Sequence, residues 1–137
     1  MANTQAIGVA YLDQNISGAD FVYVDDELGY TANARGAVTQ ATDKSTAVTL
    51  NKSAGTVTMN AAQLNATTSV TFTLNNSKIS AGDAVILSIV SGTATPGSYT
   101  LWVTGLTAGA ATITLRNITG GNLSEAVVFN FVILHAL

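Results

Sequence analysis

The sequence has no cysteine, one proline, one histidine and one tryptophan in 137 residues. Without cysteine there is no disulfide framework and no thiolate metal site. A single proline excludes collagen-like and proline-rich chains. Charged residues are also scarce, at 9% against roughly 25% in an average soluble domain. A disordered chain needs high charge and low hydrophobicity, and here hydrophobic residues reach 47%. The formal net charge is −3, so the basic footprint of a nucleic-acid binder is missing. No run approaches the ~18 apolar residues of a membrane helix; the greasiest stretch, 126–137, is broken by Asn130 and His135. Residues 1–10 carry no basic cluster and no apolar core of a secretory signal, which predicts a chain made in a cytoplasm.

What is present is threonine-rich alternation. Val70, Phe72 and Leu74 alternate with polar residues, as do Ala111, Ile113 and Leu115. Tyr99, Leu101 and Val103 share one side of a third run with Trp102 on the other, and Val127, Phe129, Phe131 and Ile133 share one side of the last. This period of two predicts strands. The continuous apolar run Ala84–Val90 predicts a strand covered on both faces. Shorter candidates are Ala37–Ala41, Ala47–Leu50 and Thr56–Met59, and a helical turn is expected near Ala61–Leu64 with Asn60 as its N-cap. Turn residues such as Asn75-Asn76-Ser77, Ala108-Gly109 and Gly120-Gly121-Asn122 punctuate these runs. Gly120-Gly121 reads as a hairpin turn. The expected fold is an all-β, single-domain β-sandwich, Ig-like or jelly-roll-like, with an extended N-terminal segment.

The boundary of that segment follows from charge. Residues 1–43 hold six acids and one base, whereas residues 44–137 hold four bases and two acids. Four of the nine aromatics, Tyr11, Phe21, Tyr23 and Tyr30, also lie early in the chain. We divide the chain into an N-terminal contact arm, 1–34, and a sandwich body, 35–137. Tyr and Phe are favoured interface anchors, and acids complement a basic partner. The expected partner-binding residues are therefore Tyr11, Asp13, Phe21, Tyr23, Asp25, Asp26 and Tyr30, with Phe21 equally suited to the core. So few charges also suit subunit contact, which predicts an oligomer.

Catalytic chemistry has little to draw on. His135 stands two residues from the end, and no Gly-x-Ser-x-Gly elbow supplies a nucleophile. Asp25-Asp26-Glu27 lacks the spacing of a calcium loop and reads as a solvated acidic loop or one that meets a basic patch. Gly120-Gly121 does not open a helix, so it makes no phosphate loop. Trp102 and Tyr99 invite a carbohydrate-stacking reading, but suit core or subunit contact better. No enzyme, cofactor or metal is expected.

One resemblance adds to this. The segment Arg35-Gly-Ala-Val-Thr-Gln-Ala-Thr-Asp-Lys-Ser-Thr-Ala-Val-Thr-Leu-Asn51 is followed by Gly55-Thr-Val-Thr-Met-Asn60. With Gly8-Val-Ala-Tyr-Leu-Asp-Gln14 and Asn117-Ile-Thr-Gly-Gly-Asn-Leu-Ser-Glu-Ala-Val-Val-Phe-Asn-Phe-Val-Ile133, the chain resembles small virion structural proteins of tailed bacteriophages. These motifs carry no catalytic residues. The resemblance implies a virion component, either a capsid decoration (cement) protein or a tail-, neck- or fibre-associated one. For a cement protein it implies a homotrimer on the capsid exterior that grips the major capsid protein, with no nucleic-acid or membrane partner. A carbohydrate-binding adhesion module is the remaining alternative.

Overall fold

The computed structural model describes residues 20–136. After one 3-10 turn, Ala32–Ala34, the chain runs through eight strands. They are β1 (Arg35–Thr39), β2 (Val48–Thr49), β3 (Ala54–Thr58), β4 (Ser69–Asn75), β5 (Ala84–Ser91), β6 (Tyr99–Thr107), β7 (Ala110–Asn117) and β8 (Val128–Leu134). They form two four-stranded sheets, ordered β1-β3-β8-β5 and β2-β4-β7-β6. The two sheets pack face to face as a β-sandwich, as the alternation predicts.

The connections explain the pairing directions. Only β6 to β7 stays within one sheet, through the Ala108-Gly109 turn; every other connection crosses to the opposite sheet. Each crossing reverses the chain, so two crossings restore its direction. Strands two apart in one sheet therefore run parallel, β1 with β3 and β2 with β4, while the pairs around β7 and β8 are antiparallel. Gly120-Gly121 is thus no hairpin turn, because β7 and β8 belong to different sheets.

The inner faces follow the period of two. Val57, Phe129, Phe131 and Ile133 of the first sheet meet Phe72, Leu74, Ile113 and Leu115 of the second, all buried. Each such side chain contributes about 2 kcal/mol on leaving water. The Phe72 and Phe129 rings lie 6.1 Å apart across the sandwich. Near one edge the large side chains give way to a glycine pair, with Gly36 beside Gly55 and Gly55 beside Phe131. Leu50 fills that slot: a Cβ on Gly55 would stand 2.7 Å from Leu50 Cδ2 and 2.8 Å from the Gly36 carbonyl.

Buried amides, not ion pairs, pin the crossing loops. Asn117 donates through Nδ2 to the carbonyls of Leu64, Asn65 and Gly121, at 3.2, 3.2 and 2.7 Å. Asn76 donates to the Lys52 carbonyl at 2.7 Å. Gln40 donates to the Lys44 and Thr46 carbonyls at 3.1 and 2.9 Å and accepts the Asn60 N–H at 3.1 Å. All three side chains are buried, and each satisfies backbone groups that the sheets leave open.

Two further expectations are corrected. No helical turn forms at Ala61–Leu64. Asn60 Oδ1 accepts the Ala62 N–H at 2.8 Å as an Asx turn, and Leu64 bridges Leu123 instead. A local side-chain bond at Asn serves a turn as readily as a helix cap. β5 is not covered on both faces: Ala84, Ile86, Ser88 and Val90 are exposed. Ser88 breaks the apolar run on its outward side, and among the described residues nothing packs over that side.

The outer faces are unlike. On the second sheet, Thr71 and Thr73 stand beside Thr114 and Thr112. Hydroxyls of Thr71 and Thr114 lie 2.8 Å apart, and those of Thr104 and Thr114 3.2 Å apart. On the first sheet the outward rows Ala54–Val132–Ile86 and Leu134–Ala84 are apolar, and beside the former, toward the end of β3, lies the polar row Thr56–Asn130–Ser88, where the Thr56 hydroxyl donates to Asn130 Oδ1 at 2.7 Å.

Candidate partner-binding surface

Residues 20–30 form a strap of irregular extended chain. The local reason is compositional: Asp25, Asp26 and Gly29 suit bends, and no helical or strand period spans the segment. In extended backbone, residues two apart point the same way, and the Phe21 and Tyr23 rings stack with centroids 6.1 Å apart. They are 75% and 86% exposed. Val22, Val24 and Leu28 are exposed as well. Phe21 is therefore not a core residue; the sandwich already fills its interior from the strands. Exposed aromatic and aliphatic side chains of this kind suit an interaction surface.

The strap is anchored at its end. The Tyr30 hydroxyl donates to the Ile133 carbonyl at 2.5 Å. β3 begins at Ala54, opposite Val132, so that carbonyl lies just past the β3–β8 ladder. Leu28, Gly29 and Tyr30 then border an open groove of about 510 Å³ on the outer face of the first sheet, floored by Ala54 and Val132 and ended by Arg35.

Asp20, Asp25, Asp26 and Glu27 make the strap acidic, and it carries no base. The only salt-bridge contact among the described residues is His135 with Asp83, at 2.9 Å, so among these residues no strap acid meets a base. Of the residues expected to bind a partner, Phe21, Tyr23, Asp25 and Asp26 come together on this exposed strap, and Tyr30 ties it to the sandwich. Tyr11 and Asp13 lie outside the described residues.

Other candidate chemistry disperses. Tyr99 is buried in the core, whereas Trp102, 39% exposed, sits on the outer threonine face. They occupy opposite faces of one sheet, so they form no joint stacking platform. Among the described residues no three His, Asp or Glu side chains come together as a metal site.

His135 is not a free tail group, since Nδ1 meets Asp83 Oδ2 and the Ala136 N–H reaches Asp83 Oδ1 at 3.3 Å. The Ser80 N–H donates to the same carboxylate at 2.7 Å. That backbone bond first, against the opposing effect of burial, and then His135 hold the Asp83 carboxyl below its ordinary pKa. A depressed carboxylate stabilises the fold above the unfolded aspartate value near 3.9 and loses that contribution as pH falls through the folded one. Asp83→Asn is thus expected to be less stable than wild type at pH 6, with the gap closing as the pH drops below about 4. Thermal midpoints of both proteins across that range check it.

Sequence reasoning missed the buried amides Gln40, Asn76 and Asn117 and the buried Lys44. Their only signal is a polar residue at the end of an alternating run, which marks an ordinary loop equally well. No protein-family model, no curated protein and no solved structure matches this chain.

Proposed function

We propose that this chain is a non-enzymatic virion structural protein of a tailed bacteriophage, a capsid decoration protein that binds the major capsid protein across its seams. The observation that carries the reading is the strap, where stacked aromatics and four carboxylates with no basic partner among the described residues stand exposed on a body with few charges. The resemblance of segments 8–14, 35–51, 55–60 and 117–133 to phage virion proteins suggests the assembly. Binding is the whole of the chemistry. Phe21 and Tyr23 bury apolar area against the shell, and the acids complement a basic patch there. Many copies on one particle convert modest single contacts into lasting occupancy.

The test is co-sedimentation with purified expanded capsid shells. The full chain is expected to bind, and a variant lacking residues 1–30 is expected to stay folded by circular dichroism but lose binding. Tyr23→Ala is expected to weaken binding about 30-fold, the loss of a ~2 kcal/mol anchor. Undiminished binding of the deletion variant overturns the strap assignment. Failure of the full chain to bind shells, with a few copies found at one vertex of the virion, moves the protein to the tail or neck.

A further inference from the structure

Four strands lie at sheet edges, β1 and β5 in the first sheet and β2 and β6 in the second. Edges expose unpaired N–H and C=O groups, and monomeric proteins protect them with short strands, charges, proline or bulges. β2 is two residues long, and β1 opens on Arg35. The register of β6 shifts between Val103 and Gly105, in the middle of the strand. β5 has little of this protection: its one irregularity is a register shift at its far end, between Ile89 and Ser91. Its residues, Ala84-Val-Ile-Leu-Ser-Ile-Val-Ser91, include no charge and no proline, and its ladder to β8 is regular from Ala84 to Ile89. Among the described residues no backbone hydrogen bond joins β5 to any segment but β8.

Its outward side chains are as unprotected as its backbone. Ile86 and Val90 are 53% and 49% exposed. The register places Ile86 beside Val132 and Ala84 beside Leu134, so the apolar patch continues inward from the edge.

We propose that β5 is a self-association edge: two copies of this chain pair their β5 strands antiparallel across a two-fold axis, joining their first sheets into one. A second copy fits better than an unrelated segment because the strand is self-complementary. Set against itself, it brings no charge to repel or desolvate. With the axis at Leu87, Ile86 faces the partner's Ser88 and Val85 faces the partner's Ile89, all within the regular part of the strand. β6 packs beside β5 on the same side of the sandwich, so the wall offered is two sheets deep. The seven paired positions, Ala84 to Val90, span roughly 24 Å, and two layers with their side chains about 20–25 Å, so pairing removes on the order of 1,000 Å² in total. That meets the ~1,000 Å² that a biological interface should clear. The contact is two-fold and isologous, unlike the homotrimer that the phage resemblance implies, and it holds whether or not the protein decorates a capsid.

Light scattering on the full chain across a dilution series tests it. The expected mass is twice the 14.0 kDa chain, falling toward one chain on dilution. Ile86→Lys with Ser88→Lys places four cations together across the axis while touching only exposed positions. That variant is expected to weaken association tenfold or more, roughly 1.4 kcal/mol, with an unchanged thermal midpoint at low concentration. Alternate β5 amides are expected to exchange slowly in the dimer and fast in the variant. A single-chain mass at every concentration overturns the proposal. So does an oligomer that the double-lysine variant leaves intact, or one that dissociates on deletion of residues 1–30.

Discussion

Replacing Gly92 with alanine is expected to remove about 3 kcal/mol of stability, a large part of the 5–15 kcal/mol available to a domain of this kind. Two effects add. Gly92 follows β5 with φ at +79°, a conformation that L side chains rarely adopt and that strains alanine by about 1 kcal/mol. A Cβ there also runs into the Ala126 carbonyl and stands 3.0 Å from Val127 Cα. Neither atom belongs to a flexible side chain. Both lie on the backbone that leads into β8, where Val127 is buried and its carbonyl accepts the Met59 N–H at 2.9 Å. Relieving the clash shifts the entry to a central strand, an overpacking penalty of about 1–3 kcal/mol. Gly97 provides the control. Its φ is +81°, but a Cβ there meets nothing within 4 Å, so Gly97→Ala carries the backbone strain alone. Urea denaturation of the two variants separates packing from conformation. Equal midpoint shifts would show that the approach of residue 92 to residue 126 is not tight.

Lys44→Ala is expected to lose about 3 kcal/mol, although lysine at the end of a threonine-rich run reads as a surface residue. Lys44 is buried, and its Nζ donates to the carbonyl of Asn60 and, at 2.5 Å, to that of Glu125. It thus ties the β1–β2 connection to the loops before β4 and β8. Alanine leaves both carbonyls without this donor and empties the volume of the stem. Lys44→Met keeps the stem and is expected to recover part of the loss. Burial lowers the Lys44 pKa from 10.5, against a smaller opposing effect of Glu125. The unfolded chain therefore binds more protons than the folded one in the interval below 10.5, and stability rises with pH there. The advantage of wild type over Lys44→Met is expected to grow as pH is raised from 7 toward 10. A gap that narrows instead would mean that Lys44 stays charged in the fold.

Strand identity was legible because burial and period coincide. Val70, Phe72 and Leu74 alternate with polar residues, and those same three side chains face Leu115, Ile113 and Ala111 in the register. Topology was not legible. Asn75-Asn76-Ser77 and Ala108-Gly109 look alike as turn residues, yet the first leads out of its sheet and the second closes a hairpin. What separates them is where Asn76 sends its amide, to the Lys52 carbonyl 24 residues earlier, and no local pattern encodes that. The β5 run misled for the reason that makes it interesting: a largely apolar outward row signals a covered face, and among the described residues nothing covers it. In the strap, the change in charge and aromatic content identified Phe21, Tyr23, Asp25 and Asp26 as unlike the body. The anchor from Tyr30 to Ile133 joins residues 103 apart and had no sequence signature.

The place of β8 sets the order in which this protein can be made. β3 and β5 are not neighbours; each is joined to the first sheet's centre through β8, the last strand to be synthesised. While a ribosome holds residues 128–134, the β1–β3 pair and β5 cannot be joined, and Phe129, Phe131 and Ile133 are missing from the core. The second sheet is complete earlier, once β7 has emerged, and it waits with one face bare. The sandwich therefore closes only once β8 is free of the ribosome, and a nascent chain stalled before residue 128 presents Phe72, Leu74 and Ile113 to whatever chaperone is nearest.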